Sequence, residues 1–160
     1  MATFLKQKTV PVGDCEVTIT QLCGLGRYDF MDFCSEQPLP ESVEDLSKDA
    51  SKEEKEAYAQ KMHKVTRQWN RLNFIMQTRL VAHGTNFDID DIDERHQYVM
   101  TAMSKEQIKE LHDEVAKLSG MSLPDEAPSS EEDAEPETPE KDGEQEDDVD
   151  PVDPKTPRIH

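Results

Sequence analysis

Apolar residues along this chain recur first at the spacing of a strand and then at that of a helix. Phe4 to Val10 reads as a first strand, and Pro11-Val12-Gly13-Asp14 as a turn, with proline and glycine supplying the special backbone angles. From Cys15 to Ile19 the pattern alternates. Cys15, Val17 and Ile19 fall on one face, Glu16 and Thr18 on the other, which predicts the return strand of a β-hairpin. Thr20 then offers an N-cap, and Leu22, Leu25, Tyr28 (or Asp29) and Phe33 follow at near-helical spacing. Gly24 and Gly26 weaken that helix by about 1 kcal/mol each relative to alanine.

Pro38 and Pro40 interrupt the chain, and the acidic stretch Glu41 to Asp49 reads as a loop. Ser51-Lys52-Glu53-Glu54 is a capping box that opens the clearest pattern in the sequence. Tyr58, Met62, Val65, Trp69, Leu72, Met76 and Leu80 are spaced three or four apart, one stripe along a helix from Lys52 to His83, with Gly84 placed as its stop. Such a helix is roughly 45 Å long. A body of 124 residues has a radius of gyration of roughly 14 Å, so the helix exceeds what its own core needs. Two uses of the stripe stay open: ordinary core, and a groove for a partner. Methionine-bearing surfaces suit the second, because the side chain is unbranched and repacks around varied apolar partners.

Asn86 to Asp91 is a polar connection. Ile92, His96, Val99, Met100 and Met103 mark a short helix. Ser104-Lys105-Glu106-Gln107 is a second capping box, opening a helix with Ile108, Leu111, Val115 and Leu118 inward and Ser119-Gly120 at its end. The expected fold is mainly α: a short N-terminal β-hairpin, then a small helical domain with one long helix.

Composition divides the chain further. The net charge is −18 over 160 residues, but Asp125 to His160 holds 15 acids and 3 bases, six of the ten prolines and only five apolar residues. A segment of that kind cannot offset its ordering entropy, so residues 125–160 read as a disordered acidic tail behind a body of residues 1–124. On its own the tail is a solubilising appendage, or it competes electrostatically for a basic partner surface. No apolar run approaches the roughly 18 residues that cross a membrane. The N-terminus lacks a secretory pattern. Cys15, Cys23 and Cys34 are odd in number and show no paired spacing, which predicts reduced thiols in a cytoplasm. The acidity argues against binding nucleic acid or anionic lipid.

No catalytic or cofactor chemistry emerges. The five histidines form no HExxH motif and no zinc-finger spacing with cysteine. Asp88 to Asp93 superficially resembles a cation loop, but Ile92, Asp93 and Val99 stand where an EF-hand needs an acceptor, a glycine and a glutamate. It reads better as a solvated loop that supplies a helix N-cap. Gly24-Leu25-Gly26 has Asp29 at the third glycine position of a dinucleotide fingerprint. No GxSxG nucleophile elbow is present. The expectation is a protein that is not an enzyme and carries neither metal nor cofactor.

Phe4-Leu5-Lys6, then Val17-Thr18-Ile19-Thr20-Gln21-Leu22 with Leu25 and Arg27, and finally Leu118-Ser119-Gly120-Met121 before an acidic Pro/Glu-rich tail, resemble the minor tail protein G family of lambda-type tailed phages. The resemblance covers both ends of the body and the tail; the middle, residues 33–93, agrees only in being helical. It implies a tail assembly chaperone that coats the tape measure protein in the host cytoplasm. Tail tube protein then displaces it, and it is absent from the mature virion. It also implies a longer minor product of a −1 ribosomal frameshift, whose extra domain recruits tail tube protein.

An apolar helical face fits such a client in helix-to-helix mode, many weak copies would gain avidity along one client, and the net charge would keep the complex apart from its neighbours. Self-association through the long helix is a further expectation. Asp153-Pro154-Lys155 can be encoded GAC CCA AAG, which contains the slippery heptamer C CCA AAG; the Gly-Lys pair that serves this purpose in the lambda relative is missing here. Two other readings remain: an acidic DNA-mimic inhibitor, which needs ordered rows of acids on the folded body, and a small helical adaptor protein.

Overall fold

Residues 4–122 are described by a computed structural model. Strand β1 (Gln7–Val12) pairs antiparallel with β2 (Cys15–Thr20), and four helices follow: α1 (Gly24–Glu36), α2 (Lys52–Gly84), α3 (Ile92–Ala102) and α4 (Lys105–Leu118). The expected fold, helical behind a hairpin, is what the chain adopts. The acidic tail and the body's predicted limit at residue 124 lie outside the described residues.

The hairpin is shifted along the sequence. Val12 pairs with Cys15 and Val10 with Val17, so the turn shrinks to Gly13-Asp14, with Gly13 at φ +59°. Glycine at the first of two turn positions suits the right-handed twist of a ribbon. Val10 and Val12 are both buried on the face that also buries Ile19, and this burial draws Pro11 and Val12 out of the expected turn into β1. A two-stranded ribbon consists of edges, where a proline is tolerated. Phe4, the expected strand start, is exposed.

Thr20 does not cap α1. The ladder continues past it, with the Gln21 amide donating to the Lys6 carbonyl (2.8 Å), and Thr20 Oγ1 accepts from Gln7 Nε2. The cap is Cys23, whose Sγ accepts from the Gly26 amide at 3.2 Å. Capping elsewhere follows the sequence. Both capping boxes form, at Ser51/Glu54 and Ser104/Gln107, and the Asp91 carboxylate caps α3 by accepting from the Asp93 and Glu94 amides. Helix α4 closes with Gly120 at φ +64°, the Gly120 amide on the Lys117 carbonyl and the Met121 amide on the Ala116 carbonyl. That is the Schellman arrangement, with Met121 packed back on the core.

Gly84 does not stop α2 as expected. It is the last helical residue, Thr85 is the C-cap, and the Thr85 hydroxyl donates to the Val81 carbonyl at 2.6 Å. Left-handed backbone at Phe87 and Asp88 (φ 49° and 55°) reverses the chain. Arg95 fixes this reversal, its guanidinium donating to the carbonyls of Ala82, Ile89 and Asp90. What Gly84 permits is contact: a Cβ there would lie 2.5 Å from both Cγ atoms of Val115 on α4.

The core is a single cluster. Leu80, Val81 and Ala82 from α2 meet Val99 of α3 and Ile108, Leu111, Val115 and Ala116 of α4, with Val10, Val12 and Ile19 of the hairpin covering one side. Outside the cluster, the Leu22 amide donates to Ser119 Oγ (3.0 Å), Arg27 donates to the Ser119 carbonyl (2.6 Å), and Lys8 pairs with Glu114. The core therefore grips only the C-terminal third of α2, and the rest of that helix extends beyond it.

Candidate functional site

The stripe on α2 is divided by its surroundings. Leu80 is in the main core. Val65 and Leu72 are buried but lie outside that cluster. Tyr58 and Met76 are half-buried, while Met62 and Trp69 are 37% and 43% exposed. One helical face thus serves as core at its C-terminal end and as surface in its middle.

What covers Leu72 is the segment between α1 and α2. Gln37 to Glu41 forms one wall of an open cleft of about 410 Å³, and Gln68, Arg71, Leu72 and Ile75 form the other. From there the chain must reach Ser51, at the start of α2, about 30 Å away along the helix axis. Fourteen residues span at most about 46 Å, so returning to Ser51 takes about two thirds of the segment's reach, and it forms an irregular strap between α1 and α2. Val43, Leu46 and Ala50 are its half-buried positions, and Glu41, Glu44, Asp45 and Asp49 are exposed between them. Among the described residues, no hydrogen bond or ion pair joins residues 38–50 to α2.

Charge on α2 is one-sided. No acid occurs from Ala57 to Gly84, whereas Lys61, Lys64, Arg67 and Arg71 are exposed and form no ion pair among the described residues. At 100° per residue these four bases lie within an arc of roughly 120°, next to the stripe. The exposed surface of α1 is the opposite. Leu25, Tyr28 and Met31 face outward with Asp29, Asp32 and Glu36 among them. The expected inward set on α1 is therefore corrected in part: Leu25 and Tyr28 are exposed, Phe33 turns in as expected, and Phe30 turns in with it. Phe30 packs against the core cluster in place of Leu25 and Tyr28, and Leu22, which precedes the helix, packs on it independently.

Beneath α1 lies a polar cluster that the periodicity did not disclose. The Arg79 guanidinium stacks 4.4 Å from the Phe33 ring centroid and reaches Asp93 at 2.5 Å. Its hydrogen bond and charge hold the Asp93 carboxyl below its usual range. His96 Nε2 stands 3.1 Å from the Ile75 carbonyl and 2.8 Å from Thr78 Oγ1. A carbonyl only accepts, so this nitrogen carries the proton. Phe30 meets His83 and Phe33 meets His96 edge to face. Arg79 Nε and His83 Nε2 are buried without a partner.

Burial, with Arg79 adding to it, pushes His83 down to about 4 from 6.5 and lowers His96 as well. A histidine depressed in the folded state binds its proton preferentially when unfolded. Its contribution is complete above pH 6.5 and is lost as pH falls toward 4. After allowance for solvent screening of this half-buried ring, about 1 kcal/mol is expected to disappear between pH 7 and pH 4.5. Urea unfolding of the wild type and of His83→Phe at both pH values tests this; the variant should show the flatter dependence.

A family model described as bacteriophage lambda tail assembly chaperone, TAC, protein G, matches residues 3–138. The chain belongs to that family. No curated protein and no solved structure matches it.

The resemblance carried by Phe4-Leu5-Lys6, Val17 to Arg27 and Leu118 to Met121 led to the same family. The structure gives several of those residues mechanical roles in this chaperone: Leu22 and Arg27 both donate hydrogen bonds to Ser119, and Ile19 is fully buried. Tail assembly chaperones are not an enzyme class. All three cysteines are free thiols, no helix among the described residues is long and apolar enough to cross a membrane, and no described cluster of His, Cys, Asp or Glu is arranged to hold a metal. Asp153, Pro154 and Lys155 lie outside the described residues.

Proposed function

We propose that this tail assembly chaperone holds the tape measure protein of a phage tail in the host cytoplasm, with the exposed middle of α2 as its contact surface. The observation that carries the reading is the exposure of Met62 and Trp69, seven residues apart on the longest helix of a chain in this family. Tyr58 and Met76 extend the same line. Positions four and seven apart present one ridge, and a client helix laid along it makes contact at every second turn. Each contact is weak, so the bound state depends on many copies along one client and is released when tube protein competes for it. In this reading the chaperone leaves before the virion is complete, and a longer −1 frameshift form, made near Asp153-Pro154-Lys155, brings tail tube protein to the client.

Co-expression with the tape measure protein tests it. Wild type is expected to keep the client in the soluble fraction and to co-purify with it. Trp69→Ala combined with Met62→Ser should leave the fold intact by circular dichroism and reduce recovery of soluble client at least tenfold. Unchanged recovery would sink the assignment of this ridge. The DNA-mimic reading is disfavoured by the one-sided basic charge of α2, which is opposite to what such a mimic presents.

A further inference from the structure

We infer that the strap, residues 38–50, is a displaceable cover, and that the groove beneath it on α2 receives an acidic amphipathic helix of the client. This inference rests on the proposed role of the Met62–Trp69 ridge.

Three observations lead to it. First, burial divides an otherwise continuous stripe, and the strap meets that stripe at Leu72. Val65 and Leu72 lie outside the main core but are covered, while Met62 and Trp69 on the same face are open. Removing the strap would join all four into one apolar track. Second, the strap is weakly held. It has no hydrogen bond or ion pair to α2 among the described residues and leaves an open cleft of about 410 Å³ against Leu72 and Ile75. A cover required for folding would fill such a space, because interiors pack to crystal density.

Third, the strap displays the chemistry of its own replacement. Its half-buried Val43, Leu46 and Ala50 recur at three and four residues, with acids exposed among them. The helix it covers has bases and no acids from Ala57 to Gly84. An incoming helix with an apolar stripe and acidic flanks matches both the apolar track and the charge beside it. It also offers more regular contact along the helix than an irregular strap. A helix with basic flanks would meet Lys61 and Lys64 with like charge.

The probes are two synthetic amphipathic helices with the same leucine stripe, one flanked by glutamate and one by lysine. The full chain is used throughout, and binding is read by Trp69 fluorescence, since Trp69 is the only tryptophan. The glutamate helix is expected to bind at least tenfold tighter at low salt, and the difference should shrink in 0.5 M salt. Val43→Ser with Leu46→Ser should tighten its binding about fivefold, because the competing strap is weakened. Independently of any variant, the bound helix should speed tryptic cleavage after Lys48 in wild type.

Equal binding of the two helices overturns the charge assignment. Unchanged or weaker binding by the strap variant, or cleavage after Lys48 that is unchanged or slowed, overturns displacement. If Trp69→Ala abolishes tape measure recovery while the strap behaves in these ways, the ridge reading survives and the strap inference alone fails. If neither helix binds wild type and Trp69→Ala leaves tape measure recovery intact, both fail.

Discussion

Gly84→Ala is expected to destabilise the chaperone by about 2 kcal/mol, although alanine is the better helix former. The added Cβ would sit 2.5 Å from Val115 Cγ1 and Cγ2 and 3.1 Å from Val115 Cβ. The valine cannot easily rotate away, because a β-branched side chain in a helix has one strongly preferred rotamer. The helices must separate instead, at the last turn of α2, where Val81, Ala82 and Val115 are fully or almost fully buried. Overpacking of this kind costs roughly 1–3 kcal/mol, and the helix-propensity gain of at most about 1 kcal/mol does not offset the upper end of that range. A domain of this size should melt roughly 8 °C lower. Val115→Ala removes both clashing carbons. In the Gly84→Ala background it should therefore cost much less than alone, with a coupling of about 2 kcal/mol across the four proteins. Additive changes would mean that the helices are free to move apart.

The same position shows what periodicity conveys and what it omits. Glycine after an apolar stripe suggests a helix stop, and a local pattern contains nothing about a valine thirty-one residues later. Capping boxes are different. Ser51/Glu54 and Ser104/Gln107 are satisfied within four residues, so their meaning is complete in the sequence and the helix starts were legible there. The α2 stripe was legible as a face but not as a division, because the surroundings of Leu72 depend on where an irregular strap runs. Arg79 was legible in neither sense. A charged residue beside Leu80 reads as surface, yet Phe33 and Asp93, each from a different part of the chain, make its burial tolerable. On α1, two glycines and apolar residues on both sides blurred the period, and which side turns inward was decided by the phenylalanines.

Leu80→Ala is expected to produce the largest loss of stability, about 2–5 kcal/mol, without altering the client surface. Leu80 is 1% exposed and belongs to the cluster that joins α2 to α3, α4 and the hairpin. Truncating a buried leucine loses its transfer free energy and leaves a cavity that the surrounding helices fill only in part. Leu80 and Trp69 lie on one stripe, eleven residues apart, so the sequence treats them alike. If the division of the stripe is right, the two substitutions separate cleanly. Leu80→Ala lowers the urea midpoint, yet at a temperature where circular dichroism reports a folded chain it recovers as much soluble tape measure protein as wild type. Trp69→Ala does the reverse, because a side chain that is 43% exposed contributes little to the fold. Loss of client by a fully folded Leu80→Ala protein would mean that the stripe works as one unit along its length. The client would then have to reach a residue that the folded domain encloses, which requires α3 or α4 to leave α2 on binding.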